Sequence, residues 1–374
     1  MTLRKRLLTA TAGILVLAVA SFAIAISYDA PCPATEGAGE PTVEATAMQA
    51  ALYRCYGSPE VVRIERVAKP VPGDDHVLVK VRAASVNPLD WHYMRGSPYI
   101  MRLGEGFGRP VDPQLGVDFA GTVEAVGKNV TRFKPGDEVF GGRSGAFAEY
   151  VLVREDRSIV HKPANLSFEQ AAAIPIAAIT ALQALRDRGR LQPGQRVLIN
   201  GASGGVGTYA VQIAKTLGAE VTGVCSTRNV ELVRSLGADR VIDYTKENFT
   251  QDEARYDLIL DNIGNHGLLD LKRVLKPEGS VVIVGGPKGD WIGPLGAPIR
   301  AFVMSPFVGE RFSMFLSEMN PTDLGVLAEL AQTGKIRPVI DRRYALHEIA
   351  AAIDYLETGR ARGKVVINVP GNET

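Results

Sequence analysis

The sequence predicts an α/β protein in which an all-β segment precedes a doubly wound parallel sheet, with a hydrophobic helix ahead of both. Three stretches carry that prediction. Arg196 to Tyr244 reads as strand, glycine turn, helix, strand, helix, strand. Residues 49–164 hold short alternating strands punctuated by glycine and proline, the pattern of a small barrel. Leu7 to Ile26 is almost uninterrupted apolar sequence.

Within the first stretch, Arg196 to Asn200 is a short apolar run between the turn Gln192-Pro193-Gly194 and Gly201, as a buried parallel strand is. Val206, Ala210, Ile213, Ala214 and Leu217 then recur at helical spacing, and Gly218 closes the helix. Glu220 to Cys225 is strand-like, Val230 to Leu236 helical, and Arg240 to Asp243 a third strand. Gly201, Gly204 and Gly207 sit where the chain leaves a strand and opens a helix. Glycines let the backbone approach a ligand closely, and the N–H groups at the positive helix end favour an anion. Ser203, Gly204, Gly205, Val206 and Gly207 are therefore the expected contacts to a dinucleotide pyrophosphate.

The end of the second strand selects the dinucleotide. An NAD site places Asp or Glu about 20 residues beyond the glycines, on the ribose 2′-hydroxyl. Here the chain reads Val224-Cys225-Ser226-Thr227-Arg228, without a carboxylate. Ser226 and Thr227 offer hydrogen bonds, and Arg228 a charge-assisted fork, to a 2′-phosphate. NADPH is the expected cofactor.

A chain of 374 residues, 46% of them hydrophobic, can bury a large core and suggests about two domains. A net charge of +1 without a basic stripe argues against a nucleic-acid partner. Cys32, Cys55 and Cys225 are too few and too scattered for a disulfide framework or a cysteine-rich zinc site, so metal-free chemistry is expected.

Arg4, Lys5 and Arg6 precede the apolar stretch, whose roughly 20 residues would make a helix of about 30 Å. It is either a single membrane span or a signal peptide cleaved near Ala23-Ile24-Ala25. No lysine or arginine follows until Arg54, so charge bias puts the body across the membrane from the N-terminus. The expected location is membrane-associated, or exported after cleavage. Ser27 to Thr46 is rich in Pro, Gly, Ala and Glu and reads as a flexible tether. Further on, Phe168 to Leu185 is an alanine-rich helical stretch. Strand Asp257 to Asp261, a helix to Leu275, strand Ser280 to Val284 and the turn Gly285-Gly286-Pro287 follow, then helices over Asp323 to Gln332 and His347 to Thr358 and a closing strand from Lys364 to Val369. Trp291 to Phe315 is apolar enough to line a substrate pocket or a dimer contact.

The motifs ASVNPLDWHYMRG, LGVDFAGTVEAVG, KPGDEVFG, GASGGVG, LGAD and RGKVVI, in that order between Gln49 and Val369, resemble the zinc-free medium-chain dehydrogenase/reductases, in their quinone oxidoreductase-like branch. The resemblance implies a GroES-like catalytic domain over residues 49–172, completed by 320–374, with a Rossmann domain over 173–319 between them. Residues 1–26 and 27–48 then form the leader or anchor and its linker. A cleft where the two domains meet and a homodimer are implied as well. Where zinc-dependent relatives place a catalytic Cys, this chain has Asn87; where they place the His and acid of GHE, it has Val117 and Asp118; their third ligand falls near Ile176. Val and Ile cannot bind a metal, and the cysteine cluster of the structural zinc is missing too.

Without zinc, a plain ketone or aldehyde would give a strongly basic alkoxide with no Lewis acid to hold it, whereas a quinone or enone spreads the charge. The expected function is an NADPH-dependent oxidoreductase that passes hydride to a quinone or an α,β-unsaturated carbonyl. The alternatives are a zinc-independent alcohol or aldehyde reductase and a non-catalytic, membrane-tethered NADPH-binding protein. By resemblance, Asn87 and Asp90 match residues near the nicotinamide, and His92 stands where the family has an active-site Tyr. Tyr93 is one residue on, and either it or His92 would hydrogen-bond the substrate oxygen. Asn87 before Pro88 also suits a plain turn, and Asp90 the ordering of that loop. The resemblance further assigns Thr180, Asn262 and the backbone of Val284, Gly285 and Gly286 to the nicotinamide end, Tyr244 to the adenosine phosphate and Lys364 to the cofactor cleft.

Overall fold

The computed structural model describes residues 3–33, 47–286, 289–291, 311–314 and 316–369 and, in the N-terminal helix, the side chains of Thr11 and residues 13–27. That helix, α1 (Leu3–Ser27), has no proline and no acidic residue along it. Among the described residues no helix is long and apolar enough to cross a membrane, so the expected single span is not supported.

The described part of the tether, residues 28–33, is bound to the body rather than flexible; residues 34–46 lie outside the described residues. Ala30 N–H donates to the Gly108 carbonyl at 3.0 Å, Asp29 pairs with Arg102 at 2.7 Å, and Cys32 is disulfide-bonded to Cys55 with the Cα atoms 5.0 Å apart. Three cysteines make no framework, but they do make this one bridge. Spacing along the chain carried no sign of it, because the returning strand sets which two meet.

The body begins with an antiparallel ribbon, β1 (Ala47–Tyr53) on β2 (Val62–Ala68). β3 (His76–Val86), α2 (Pro88–Arg95), the short α3 (Arg102–Glu105), β4 (Asp118–Val126), β5 (Glu138–Gly142), β6 (Tyr150–Arg154) and β7 (Ile159–His161) follow. Alternate residues of these strands, among them Val77, Val79, Val81, Phe119, Val123, Val139 and Val151, fill one core. The expected helix from Phe168 to Leu185 is broken into α4 (Phe168–Ala172) and α5 (Pro175–Gln183), because Pro175 has no N–H to continue the ladder and instead starts a new helix.

The parallel sheet contains β8 (Arg196–Asn200), β9 (Glu220–Cys225), β10 (Arg240–Asp243), β11 (Tyr256–Asp261), β12 (Leu275–Ile283) and β13 (Arg311–Met314), in the order β10-β9-β8-β11-β12-β13. α6 (Gly205–Thr216), α7 (Val230–Ser235) and α8 (Leu268–Arg273) connect its strands. The strand order reverses between β8 and β11, which leaves a crevice at their C-terminal ends. Of the stretch from Trp291 to Phe315, residues 292–310 and Phe315 lie outside the described residues, as does Pro287; Arg311–Met314 adds an edge strand beside β12. The helices α9 (Pro321–Gln332) and α10 (Ile349–Glu357) flank β14 (Ile340–Ala345), and the chain returns as β15 (Lys364–Asn368). β15 pairs antiparallel with β3, so the C-terminal strands complete the first sheet.

Candidate active site

The glycine turn after β8 leads directly into α6. Gly201 adopts φ +78°, and a Cβ on Gly207 would strike the Gly201 carbonyl, so neither position tolerates a side chain without displacement. Gly204 is the N-cap of α6, leaving the first N–H groups of a 12-residue helix to face outward. Two buried amide oxygens flank this turn without a hydrogen-bond partner: Asn229 Oδ1 and Asn262 Oδ1. Asn229 Nδ2 donates to Ser203 Oγ at 2.9 Å, and Asn262 Nδ2 to the Asn200 carbonyl at 2.9 Å, which fixes both amides. Buried acceptors left over in this way suit a ligand that brings hydroxyl donors, as the two riboses of a dinucleotide do. A Cβ on Gly285 would strike the Asn262 carbonyl, so glycine there lets the end of β12 lie against β11, with Val284 N–H on the Asp261 carbonyl at 2.9 Å. The residues present therefore fit a nicotinamide dinucleotide.

At the other end, Thr227 differs from expectation. Its hydroxyl donates inward to Asp243 at 2.6 Å, and Thr245 donates to the same carboxylate at 2.8 Å. These bonds, Thr227 first, hold the Asp243 carboxyl down to about 2. Ser226 Oγ accepts from Asn229 Nδ2 at 3.3 Å and keeps its own proton for a ligand. Arg228 lies exposed, its guanidinium on the carbonyl of Arg360. Tyr244, 61% exposed, extends from the residue whose N–H caps Cys225 at 3.0 Å.

The catalytic candidates lie where β3 ends. Asn87 N-caps α2 and is 2% exposed. Its N–H donates to Asp90 Oδ2 at 2.7 Å, and its Nδ2 to Asp118 Oδ2 at 2.9 Å and to the Ser85 carbonyl at 3.2 Å. Its Oδ1 accepts from Lys364 Nζ. Lys364 also reaches Asp118 Oδ2 at 3.3 Å, Ser85 Oγ donates to that oxygen at 2.9 Å, and the Ile176 N–H takes Asp118 Oδ1 at 3.0 Å. Asn87, Asp118 and Ile176, three of the residues aligned with the zinc site of zinc-dependent relatives, are thus tied into one network with a buried ammonium. Burial lowers the Lys364 pKa, opposed mainly by Asp118. Burial also pushes the Asp90 carboxyl up to about 7, with Asp118 adding and the Asn87 N–H, Lys364 and the Gly116 N–H opposing. Asp90 is fully buried and orders the turn that presents Asn87, so it is a positioning residue rather than a contact to substrate.

His92 and Tyr93 are half-buried on α2. His92 stacks on Trp91 with ring centroids 3.7 Å apart, and its Nδ1 lies 2.6 Å from the Ser97 carbonyl. A carbonyl only accepts, so Nδ1 carries the proton and Nε2 of the neutral ring is an acceptor. Burial, then Glu105 and Asp90, raise the Tyr93 pKa, which keeps its hydroxyl a donor at neutral pH. Thr180 Oγ1 donates back to the Ile176 carbonyl at 2.7 Å and meets Ser317 Oγ at 2.9 Å. Lys364 is 3% exposed and its stem passes beside Gly205, so it joins the glycine turn to the Asn87 network instead of lying in solvent.

Sequence reasoning passed over Ser85 and Asn229. An isolated serine or asparagine carries no pattern, and only the strand register brings them to the site. Among the described residues no group of three or more His, Cys, Asp or Glu is arranged to hold a metal ion.

Residues 73–164 match the alcohol dehydrogenase GroES-like domain and residues 236–367 the zinc-binding dehydrogenase domain. The chain is 38% identical over 338 residues to the 2-methylene-furan-3-one reductase of Solanum lycopersicum, across 86% of this chain and 79% of that protein. It is 34% identical over 336 residues to the chloroplastic NADPH-dependent alkenal/one oxidoreductase of Arabidopsis thaliana, again 86% and 79%. The solved quinone oxidoreductase of Coxiella burnetii superposes with a TM-score of 0.76 at 31% identity, over 87% of this chain and 100% of that one. With both domains matched and relatives this similar along most of their length, the chain belongs to the medium-chain dehydrogenase/reductases, in their quinone oxidoreductase-like branch.

Proposed function

We propose that this oxidoreductase uses NADPH to reduce a quinone or an α,β-unsaturated carbonyl. The observation that carries the reading is the bonding of Asn87: both ends of its amide are spent on Asp118, Ser85 and Lys364. A group so committed cannot polarise a plain carbonyl, so the acceptor itself has to delocalise the charge it gains. The reduced nicotinamide, when bound, supplies the hydride. Residues of the glycine turn, with Asn229 and Asn262, orient it, and Lys364 ties that turn to the Asn87 network. His92 holds its Nδ1 proton on Ser97, so its Nε2 accepts a hydrogen bond from the product hydroxyl when neutral and delivers a proton when charged. Tyr93 is the second donor within the same turn of α2.

The preference for the phosphorylated cofactor rests on Ser226 and Arg228, on the absence of a carboxylate at the end of β9, and on the inward commitment of Asp243. Among the described residues β13 is the edge strand of its sheet, which supports pairing with a second copy. The Cys32–Cys55 bridge supports a body in an oxidising compartment, reached through the apolar N-terminal segment as an anchor or a cleaved signal. The test is NADPH oxidation by the purified protein with naphthoquinones, enones and enals against saturated aldehydes and ketones. Acceleration by the first group alone is expected. A rate no faster than without acceptor would overturn the reading, and chelator-sensitive turnover of simple alcohols would replace it.

A further inference from the structure

At the base of α1 the molecule exposes apolar side chains from three separate segments. On the helix, Ile14, Leu15, Val16 and Leu17 are 64–69% exposed. Successive residues turn by about 100°, so these four cover most of the circumference and no stripe of that turn is packed. On the body, Tyr28, Leu103 and Phe107 are each more than half exposed, Val111 is 79% and Ile100 46% exposed. Trp291, 50% exposed, meets Tyr99 edge-on with ring centroids 5.0 Å apart. Ile24, Tyr28 and Phe107 line one open hollow of about 660 Å³ between the helix end and the body.

This surface is held in place rather than hinged. The Arg102 guanidinium, 1% exposed, donates to the carbonyls of Ile26 and Tyr28 at 3.1 Å each, to Asp29 at 2.7 Å and to Gly96 at 2.8 Å. The rings of Tyr56 and Tyr99 cover it at 4.3 and 4.6 Å. The Cys32–Cys55 bridge fastens the same segment a second time. The surface also borders the candidate site: Ser97, whose carbonyl holds His92, donates its hydroxyl to Asp290 at 2.7 Å, and the Tyr99 N–H donates to the Asp290 carbonyl at 2.7 Å.

We infer that this face seats the body on a lipid bilayer, with α1 inserted and Ile100, Leu103, Phe107, Val111 and Trp291 at the headgroup level. The acceptor is then a quinone or enone dissolved in the membrane, which enters beside Ser97 and Tyr99. A partner helix or a second copy would cover one stripe of α1, whereas a turn that is apolar around its circumference, as at Ile14 to Leu17, suits an apolar solvent. Tyrosine and tryptophan at the rim suit the boundary of such a phase. Insertion is sufficient, and no crossing is needed. The inference rests on the proposed function for its acceptor and on the membrane reading of α1 for its setting.

The test uses the full chain in phosphatidylcholine vesicles whose acyl chains carry bromine near the headgroup. The chain has two tryptophans, so the emission removed by Trp291→Phe is assignable. That component is expected to be quenched. Replacing Ile100, Leu103, Phe107 and Val111 together by serine should leave reduction of a water-soluble quinone within twofold and slow reduction of a long-chain quinone in the vesicles at least fivefold. If the chain floats with vesicles but the Trp291 component is unquenched, or both quinones respond alike, the docking inference falls while membrane association stands. Failure to float overturns the membrane reading itself. Loss of a dimer on the fourfold replacement, without an effect of lipid, assigns the face to a second copy instead. If no quinone is reduced at all, the functional reading falls and quenching alone decides the docking.

Discussion

Asp90 offers a direct test of how the buried network is built. Burial pushes its carboxyl up to about 7 from the ordinary 3.8. The raised value means that the native protein holds a proton that the unfolded chain has lost between about pH 4 and 7, so stability falls as pH rises through that window and is level above it. A shift of about three units corresponds to about 4 kcal/mol in all, of which about 2–3 kcal/mol is lost between pH 5 and 8. Asp90→Asn keeps an acceptor for the Asn87 N–H but cannot ionise. Urea unfolding of both proteins at pH 5, 6, 7 and 8 should therefore show the wild type losing about 2–3 kcal/mol relative to the variant. Infrared spectra should show a protonated carboxyl band in the wild type that fades near pH 7 and is absent from the variant. A stability difference that stays flat from pH 5 to 8 would mean that Asp90 is ionised throughout, and the account of the network would fail.

Arg228→Ala should raise the KM for NADPH about tenfold or more and leave NADH nearly unaffected, as loss of a charge-assisted hydrogen bond to the 2′-phosphate requires; equal effects in steady-state kinetics would remove Arg228 from that role. Gly207→Ala places a methyl group against the Gly201 carbonyl, so cofactor binding measured by nucleotide fluorescence should be lost while circular dichroism stays native. Lys364→Met leaves Asp118 buried without its cation and should cost about 3–5 kcal/mol in denaturant titrations. Adding Asp118→Asn should recover a large part of that loss; a purely additive double variant would show that the pair is not coupled.

The sheet around the glycine turn was legible from the sequence because β8 is a short apolar run closed by Gly201 and α6 carries an unbroken helical period from Val206 to Leu217. β7 and β14 were not, since Ile159–His161 is too short for alternation and Ile340–Ala345 is interrupted by charge at Asp341, Arg342 and Arg343. In the site, Asn87, Asp90 and Lys364 were found by motif, and the resemblance placed Lys364 at the cofactor cleft, but its bonds to Asn87 and Asp118 were not legible because the sequence does not tell which way a strand-end lysine points. β15 pairs Val365 with Val86, and that register sends the ammonium to Asn87. The inward turn of Thr227 escaped notice for a similar reason: its partner, Asp243, is contributed by the neighbouring strand.

Among the described residues, one backbone ladder step joins the two sheets. Gly363 N–H donates to the Ser203 carbonyl at 2.9 Å, and Gly363 bridges Gly204, one residue before Lys364. The peptide of the glycine turn and the peptide that carries the network ammonium are thereby clasped like two links of a chain. A displacement of the glycine turn is thereby passed to the peptide of Lys364, and the apolar core that Ala83 and Phe140 share with Ala178 and Val282 holds the two lobes together around that bond.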